Sequence, residues 1–506
     1  GGPGTVVVVP SFTLDQAGMS KIPGVLHYEE RMLSFLHLLR DPGRRLVYVT
    51  SEPLPDLIVD YALGLVRALP VWHARRRLTL LHCGDASPEP LTRKVLARPG
   101  LVARIRRLLP PDPADACVLA FNGSPFERTL ALRLGAPLYA CDPDLSFLGS
   151  KSGARALFQE AGVPVPRGLE GLRDRDDVVK ALAELRAAHP DVGTAVIKLN
   201  EGFGAGGNAL FPLGGAPRTG SAESWIRREL PALVTFATPP DSWEHFAGKL
   251  DEMGGVVEER VEGSELRSPS VQVRVTPGGE APVVSSQDQV FEGEANQTYA
   301  GAVAPADPAY RHSLHELGLR TGRALAAKGA LGIASVDFVS RRGAAAGTAA
   351  GAAAGAAGRE GAPNGRRGPD GWAHYAVEIN LRMGGGTAPL MFLLGAVEGA
   401  YDPGSGDYLT PDGQPRYYVT NDRLRHAAYR ALTAEHLLDT SYREGVLYDP
   451  RDRCGTIFHM LGALPDFGKL ATVVIGTTPA DARHRYRRTV AALDAASAAT
   501  FRQAPM

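Results

Sequence analysis

The chain has 506 residues with 55 Lys+Arg against 55 Asp+Glu, a formal net charge of +0. At roughly 150 residues per domain that length implies several structural units, and the balanced charge excludes a chain-wide positive field that would draw in nucleic acid or an anionic membrane. Hydrophobic residues make up 44% and aromatics 7%. The four cysteines, Cys83, Cys117, Cys141 and Cys454, are spaced too widely for a CxxC pair or a disulfide framework, so a reducing cytoplasm is expected. No apolar run approaches the eighteen or so residues of a membrane span, and Val6 to Val9 is too short for a signal-peptide core.

The first part, residues 5–145, alternates β-branched runs with helical patterns. Val6 to Val9, Leu46 to Thr50, Leu78 to His82, Cys117 to Phe121 and Leu138 to Ala140 read as buried strands, with helical stretches at Glu29 to Leu39 and Asp56 to Leu69. Strands alternating with helices predict a parallel sheet, an α/β domain. Residues 146–400 have an α+β texture: a helix at Ser152 to Ala161, then strands at Thr194 to Leu199, Val256 to Val261, Val271 to Val275, Ile333 to Val339 and His374 to Asn380. Trp225 to Met253 is mixed helical. Residues 342–371 form an Ala/Gly-rich insertion that cannot bury enough side chain to offset its ordering entropy. Residues 401–506 form an α+β extension, with helices expected near Asp422 to Leu438 and Pro479 to Ala495 and a strand at Ala471 to Ile475.

Three motifs carry chemistry. In the first, Lys198-Leu-Asn-Glu201-Gly202-Phe-Gly204-Ala-Gly206-Gly207-Asn208, the glycines at 202, 204 and 207 satisfy GxGxxG. A dinucleotide turn would lead into a helix, whereas Asn208 to Pro212 reads as a strand. Strand, glycine loop and strand instead make a hairpin lid over residues 201–208, whose N–H groups can fold over phosphates beside Lys198. Nor is Gly149-Ser150-Lys151-Ser152 a P-loop, since Ser150 rather than Gly stands immediately before the Lys. In the second motif, Glu258-Glu259-Arg260-Val261-Glu262-Gly263-Ser264-Glu265, a strand end followed by a glycine turn offers backbone groups to a base and carboxylates to ribose hydroxyls. In the third, Glu378 and Asn380 are two apart on a strand and share a face, and Asp337 on a neighbouring strand would complete an oxygen donor set suited to Mg²⁺. Arg382 follows directly, then Gly384, Gly385, Gly386 and Thr387, whose N–H groups can approach an anionic intermediate.

In this order the motifs resemble the ATP-grasp carboxylate–amine ligases over about residues 110 to 400. Lys151 heads a helix in GSKSGARALFQEAGVPVP, Lys198 enters the glycine lid, Glu258, Val261 and Glu265 lie at the hinge, and Asp337, Glu378 and Asn380 precede Arg382. The stretches VPSF, YVTSEPLPDLIVDYALGL and FNGSPFERTLALRLGAPLYACDPDL are most similar to the peptide ligases of pheganomycin-type biosynthesis. The resemblance implies a pre-ATP-grasp α/β domain over 5–145, an ATP-grasp domain over 146–400 and an extension over 401–506. It implies ATP, two Mg²⁺ held by Asp337, Glu378 and Asn380, and nucleotide contacts from Lys151, Lys198, Glu201, Gly204, Gly206, Gly207, Glu258, Glu259, Val261 and Glu265. Arg382, Lys198 and Arg267 are the expected catalytic residues. Arg267, Gln287, Asp288, Gln289, Gly385, Gly386 and Thr387 are the expected substrate contacts. The reaction implied activates an amino acid-like carboxylate as an acyl phosphate and joins it to the N-terminus of a peptide, with a free amino acid as the alternative acceptor; the expected state is a homodimer without nucleic-acid or membrane partners. A non-catalytic nucleotide-binding protein is the competing class. His312 and His315, and the clusters Arg75 to Arg77 and Arg104 to Arg107, are expected to be solvated helix residues.

Overall fold

A computed structural model describes residues 4–14, 19, 22–202, 207–218, 220–236, 242–292, 298–343 and 370–503. The first sheet is parallel and has strand order β3-β2-β1-β4-β5, built from β1 (Thr5–Val9), β2 (Arg45–Thr50), β3 (Leu78–His82), β4 (Ala116–Ala120) and β5 (Leu138–Tyr139). Its run of valines is buried on both faces, as a covered parallel sheet requires. Alternation sends Val7, Val9, Val47 and Val49 into a core with helices Leu91–Leu96, Pro99–Arg106 and Pro125–Leu134, while Val6, Val8, Leu46 and Tyr48 face the other way. That second core is shared with distant parts of the chain: Leu36 from the 3₁₀ helix Val25–Arg40, Met391 from the helix Thr387–Ala396, and Tyr429, Leu464 and Leu493 from the C-terminal section.

The second sheet, order β6-β10-β7-β8-β9, comprises β6 (Gly168–Leu172), β7 (Thr194–Leu199), β8 (Asn208–Pro212), β9 (Thr235–Phe236) and β10 (Gly255–Glu259). One face packs on helices Arg175–Ala188, Ala222–Leu233 and Trp243–Met253. Along β7, Ala195, Ile197 and Leu199 are buried in that core, which leaves Val196 and Lys198 on the opposite face.

The large sheet begins with β11 (Glu265–Arg267), β12 (Pro269–Val275), β13 (Val283–Glu292), β14 (Thr298–Ala304), β15 (Gly332–Arg342) and β16 (Trp372–Asn380). It continues through β17 (Ala400–Tyr401), β18 (Tyr408–Leu409), β19 (Pro415–Arg425), β20 (Gly455–His459) and β21 (Lys469–Gly476). Helices Lys151–Glu160 and Arg311–Ala327 cover one face. The C-terminal section is therefore fused to this sheet: β19 pairs antiparallel with β14 on one side and β21 on the other. The helix expected from Asp422 gives way to strand β19, followed by a 3₁₀ turn at Ala427–Ala431 and the helix Ala434–Arg443. Partners on both edges override the local helical pattern there. His315 is also corrected: it is buried, with Nδ1 2.9 Å from the Tyr401 hydroxyl, whereas His312 is exposed. Arg77 is no solvated charge either, since it donates to the carbonyls of Leu39, Asp41 and Arg44. The inserted residues 344–369 lie outside the described residues, and no described helix is long and apolar enough to cross a membrane.

Candidate active site

The three motifs meet where the second sheet faces the large one. The hairpin expected around the glycine loop is present, with Lys198 opposite Asn208 in register and the Leu199 amide donating to the Gly207 carbonyl. Gly207 has φ +105°, a conformation other residues rarely adopt. Glu201 is exposed at the root of the loop, and Gly204 and Gly206 lie outside the described residues.

Lys198 forms an ion pair with Glu258 of β10. Glu258 is 1% exposed and also accepts from Arg155 at 2.7 Å. Arg155 holds Glu170 at 3.0 Å and the Pro166 carbonyl at 2.9 Å. Burial pushes the Glu258 pKa up, but Lys198 and Arg155 outweigh it and hold the carboxyl below its ordinary range. Glu259 is turned instead to Arg167, whose Nε donates to it at 2.7 Å. β10 ends at Glu259, so Val261 lies beyond the strand. Glu265 accepts from Arg267 at 2.7 Å on the short edge strand β11, where Arg267 is exposed.

Asp337 on β15 lies directly opposite Glu378 on β16, and Ser335 opposite Asn380. The expected convergence of these three follows from this register: the Asn380 amide donates to Asp337 at 3.1 Å, and the other Asp337 oxygen accepts from Gln289 at 2.9 Å. Lys151, at the start of the helix Lys151–Glu160, donates to Glu378 at 2.5 Å. Burial and then the neighbouring Glu378 charge raise the Asp337 pKa to about 6. Burial also works against ionised Glu378, but Lys151 and Arg382 overcome it and hold this carboxyl low. Burial lowers the Arg382 pKa, and Glu378 and Asp337 oppose that shift.

This is a carboxylate pair on facing strands with an amide beside it. The described residues contain no cluster of three or more His, Cys, Asp or Glu suited to a metal. Two carboxylates and an amide oxygen are hard donors that suit Mg²⁺ shared with a phosphate, which needs only one or two protein carboxylates.

The substrate expectations divide by strand parity. Gln287 and Gln289 project towards the loop after Arg382 and towards Asp337, respectively. Asp288 points elsewhere, accepting from the Tyr310 hydroxyl at 2.5 Å and the Asp307 amide at 2.8 Å. A Cβ on Gly386 would collide with the Gln287 amide, and one on Gly385 with the Tyr299 ring, so these glycines permit close packing of polar side chains on the loop. Thr387 starts the helix Thr387–Ala396, accepts from the Gly384 amide at 3.0 Å and donates to Gln272 at 2.8 Å.

Two supporting residues went unassigned in the sequence. Asn200 accepts from the Ser152 amide at 2.9 Å and donates to the Met253 carbonyl at 2.9 Å, while its backbone carbonyl accepts from the Lys151 amide at 3.1 Å. It thus ties the lid root to the Lys151 helix. Its spacing of two from Lys198 was the available signal. Gln272, buried between Val271 and Val273 on β12, was detectable only as a polar residue in an apolar strand.

Comparisons with known proteins place the chain among relatives. A family profile described as "IQCH-like, ATP-grasp" matches residues 144–217 and 222–345, and one described as "PGM1 C-terminal domain" matches residues 437–489. The L-propargylglycine--L-glutamate ligase of Streptantibioticus cattleyicolor is 32% identical over 503 residues, covering 97% of this chain and 94% of that protein. Among solved structures, the biotin carboxylase–β,γ-ATP complex from Campylobacter jejuni aligns with TM-score 0.54 at 13% identity, covering 98% of this chain and 95% of the other. The Hydrogenobacter thermophilus 2-oxoglutarate carboxylase biotin carboxylase domain, in complex with MgADP, aligns with TM-score 0.51 at 12% identity, covering 96% and 89%. These two show a common fold. The chain belongs to the ATP-grasp family and is a carboxylate–amine ligase, forming an amide bond at the expense of ATP.

Proposed function

We propose that this ligase joins two amino acids, activating the carboxylate of one as an acyl phosphate at the Asp337–Glu378–Asn380 site. The observation that carries this reading is the strand register that sets Asp337 opposite Glu378 with Lys151 against the latter. In the proposed reaction a substrate carboxylate attacks the γ-phosphate of ATP, ADP leaves, and an amine then displaces phosphate from the acyl phosphate to give the amide. The difficulty is repulsion between the carboxylate and the polyphosphate.

Lys151 and Lys198 exchange their carboxylate partners for phosphate oxygens, and Arg382 faces the transferring phosphoryl group. Asp337, Glu378 and Asn380 would hold two Mg²⁺, and the metal would neutralise the β- and γ-phosphates. The glycine-rich sequence joining β7 and β8 is assigned the role of excluding water that would hydrolyse the acyl phosphate. The amino-acid acceptor is favoured because the relative matched over nearly the whole chain is named for two amino acids. The second reading, an acceptor peptide, follows from the resemblance of the N-terminal stretches to the pheganomycin-type peptide ligases. Mass spectrometry of products from mixed amino acids and short peptides separates the two: dipeptides support the first, elongated peptides the second. Glu378→Gln is expected to abolish turnover in a folded protein, and retained activity overturns the metal assignment.

A further inference from the structure

Beside the loop that follows Arg382, the described residues hold a second group of buried polar atoms that the phosphate chemistry leaves unused. Arg31, on the helix Val25–Arg40, pairs with Asp422 of β19, Nη2 to Oδ2 at 3.2 Å, with side chains 11% and 5% exposed. Two further contacts fix the guanidinium: Nε donates to Met460 Sδ at 3.3 Å, and its carbon lies 3.9 Å from the Tyr28 ring centroid. Lys469 of β21 supplies a second cation at Tyr28, donating to its hydroxyl at 3.1 Å and lying 4.7 Å from its ring centroid. Asp422 Oδ1 has no hydrogen-bond partner among the described residues, and neither has the Tyr299 hydroxyl. Tyr299 bears on Gly385, and so joins this group to the loop after Arg382. Gln287 Oε1, packed on the next glycine, is likewise without a partner among the described residues.

Buried acceptors without donors are rare in native proteins, and a ligand that brings the donor removes the cost. The guest that fits has a carboxylate for Arg31, which can grip it through paired N–H groups, and a cationic N–H donor for Asp422 Oδ1. An α-amino acid head carries both. We propose that Arg31 and Asp422 read the α-carboxylate and α-ammonium of the donor amino acid, leaving its side-chain carboxylate to be activated as the acyl phosphate, with Tyr299 lining the path to Arg382. This rests on the ligase reading and deepens it by naming how one substrate is recognised. It also gives the C-terminal section a function, because Asp422 and Lys469 come from it while Arg31 comes from the first domain.

The test uses the full chain with ATP and Mg²⁺. A panel of the common amino acids plus L-propargylglycine is first screened in pairs by phosphate release. With the best pair, Arg31→Met and Asp422→Asn are each expected to raise the KM of one amino acid roughly 20-fold or more, as loss of a charge-assisted contact implies. The KM of ATP and of the other amino acid should stay within about twofold. The double variant Arg31→Met/Asp422→Leu replaces the ion pair with apolar packing; the same KM defect in a protein of unchanged melting temperature supports substrate recognition. The α-carboxamide of the affected amino acid should show equal KM with wild type and Arg31→Met. Unchanged amino-acid KM values in the double variant, or an equal 20-fold loss with the carboxamide, overturn the proposal. If no pair releases phosphate from the wild type, the two-amino-acid reading itself fails and this proposal falls with it.

Discussion

Neutralising Glu258 by Glu258→Gln tests how the cleft is held before nucleotide arrives. The Glu258 and Arg155 side chains are 2% and 3% exposed, and Lys198 is 14% exposed. Breaking a buried pair on one side typically costs about 3–5 kcal/mol, because the surviving charge stays buried without its partner. Arg155 keeps Glu170 and the Pro166 carbonyl, which places the expected loss near the lower end, about 3 kcal/mol. For a unit of roughly 150–250 residues that corresponds to a fall in Tm of about 6–12 °C. The assay is thermal unfolding of wild type and variant between pH 3.5 and 7.5, without nucleotide. Because the folded Glu258 pKa lies below its unfolded value of about 4.3, its contribution is present above that pH. It is lost as pH falls through the folded pKa. The difference between the two proteins should therefore be full at pH 7.5 and narrow towards pH 3.5. A loss under about 1 kcal/mol at pH 7.5, or a gap that widens with acid, would refute this account of the Arg155–Glu258–Lys198 cluster.

Other substitutions probe the rest of the site. Asp337→Asn removes a carboxylate whose charged form is disfavoured by burial and by Glu378, so it is expected to eliminate phosphate release without lowering Tm at pH 7.5, as calorimetry can check. Gly386→Ala drives a methyl into the Gln287 amide and should cost about 1–3 kcal/mol, measured by denaturant unfolding, with a lower kcat. Asn200→Ala frees the lid root from the Lys151 helix; the KM of ATP is expected to rise about tenfold, the equivalent of about 1.4 kcal/mol. His459 is buried and neutral, its pKa lowered to about 3 by burial and by Arg31, so protons bind the unfolded state first. Its contribution is complete above about pH 6.5 and declines by up to about 1.4 kcal/mol per pH unit towards pH 3, a dependence that His459→Gln should remove from pH-resolved melting curves.

Local sequence was informative wherever alternation and spacing carry the geometry. Lys198 on an alternating strand ahead of a glycine loop, and Glu378 with Asn380 two residues later, indicate their faces without tertiary knowledge. Their opposition to Asp337 also follows once the two strands are paired across the insertion. What stayed hidden depends on partners far away in the chain. Residues 415–425 become a strand because β14 and β21 flank them, a fact absent from their own pattern. Asp288 lies between two site-facing glutamines yet faces Tyr310, since one step along a strand reverses the side. Arg31 reads as one more helix cation until the fold brings Asp422 to it. Glu258 and Lys198 were recognisable separately, but Arg155 between Glu258 and Glu170 could not be anticipated from spacing.

The most direct test of the central claim is ADP and phosphate release by the wild-type chain supplied with ATP and Mg²⁺ plus an amino-acid pair, compared with each amino acid alone and with the Glu378→Gln protein. Ligase chemistry at the Asp337–Glu378–Asn380 site predicts amide product and stoichiometric ADP only when both members of the pair are present, and none from Glu378→Gln. ATP binding with no ADP formed in any mixture, or equal turnover by Glu378→Gln, would contradict it.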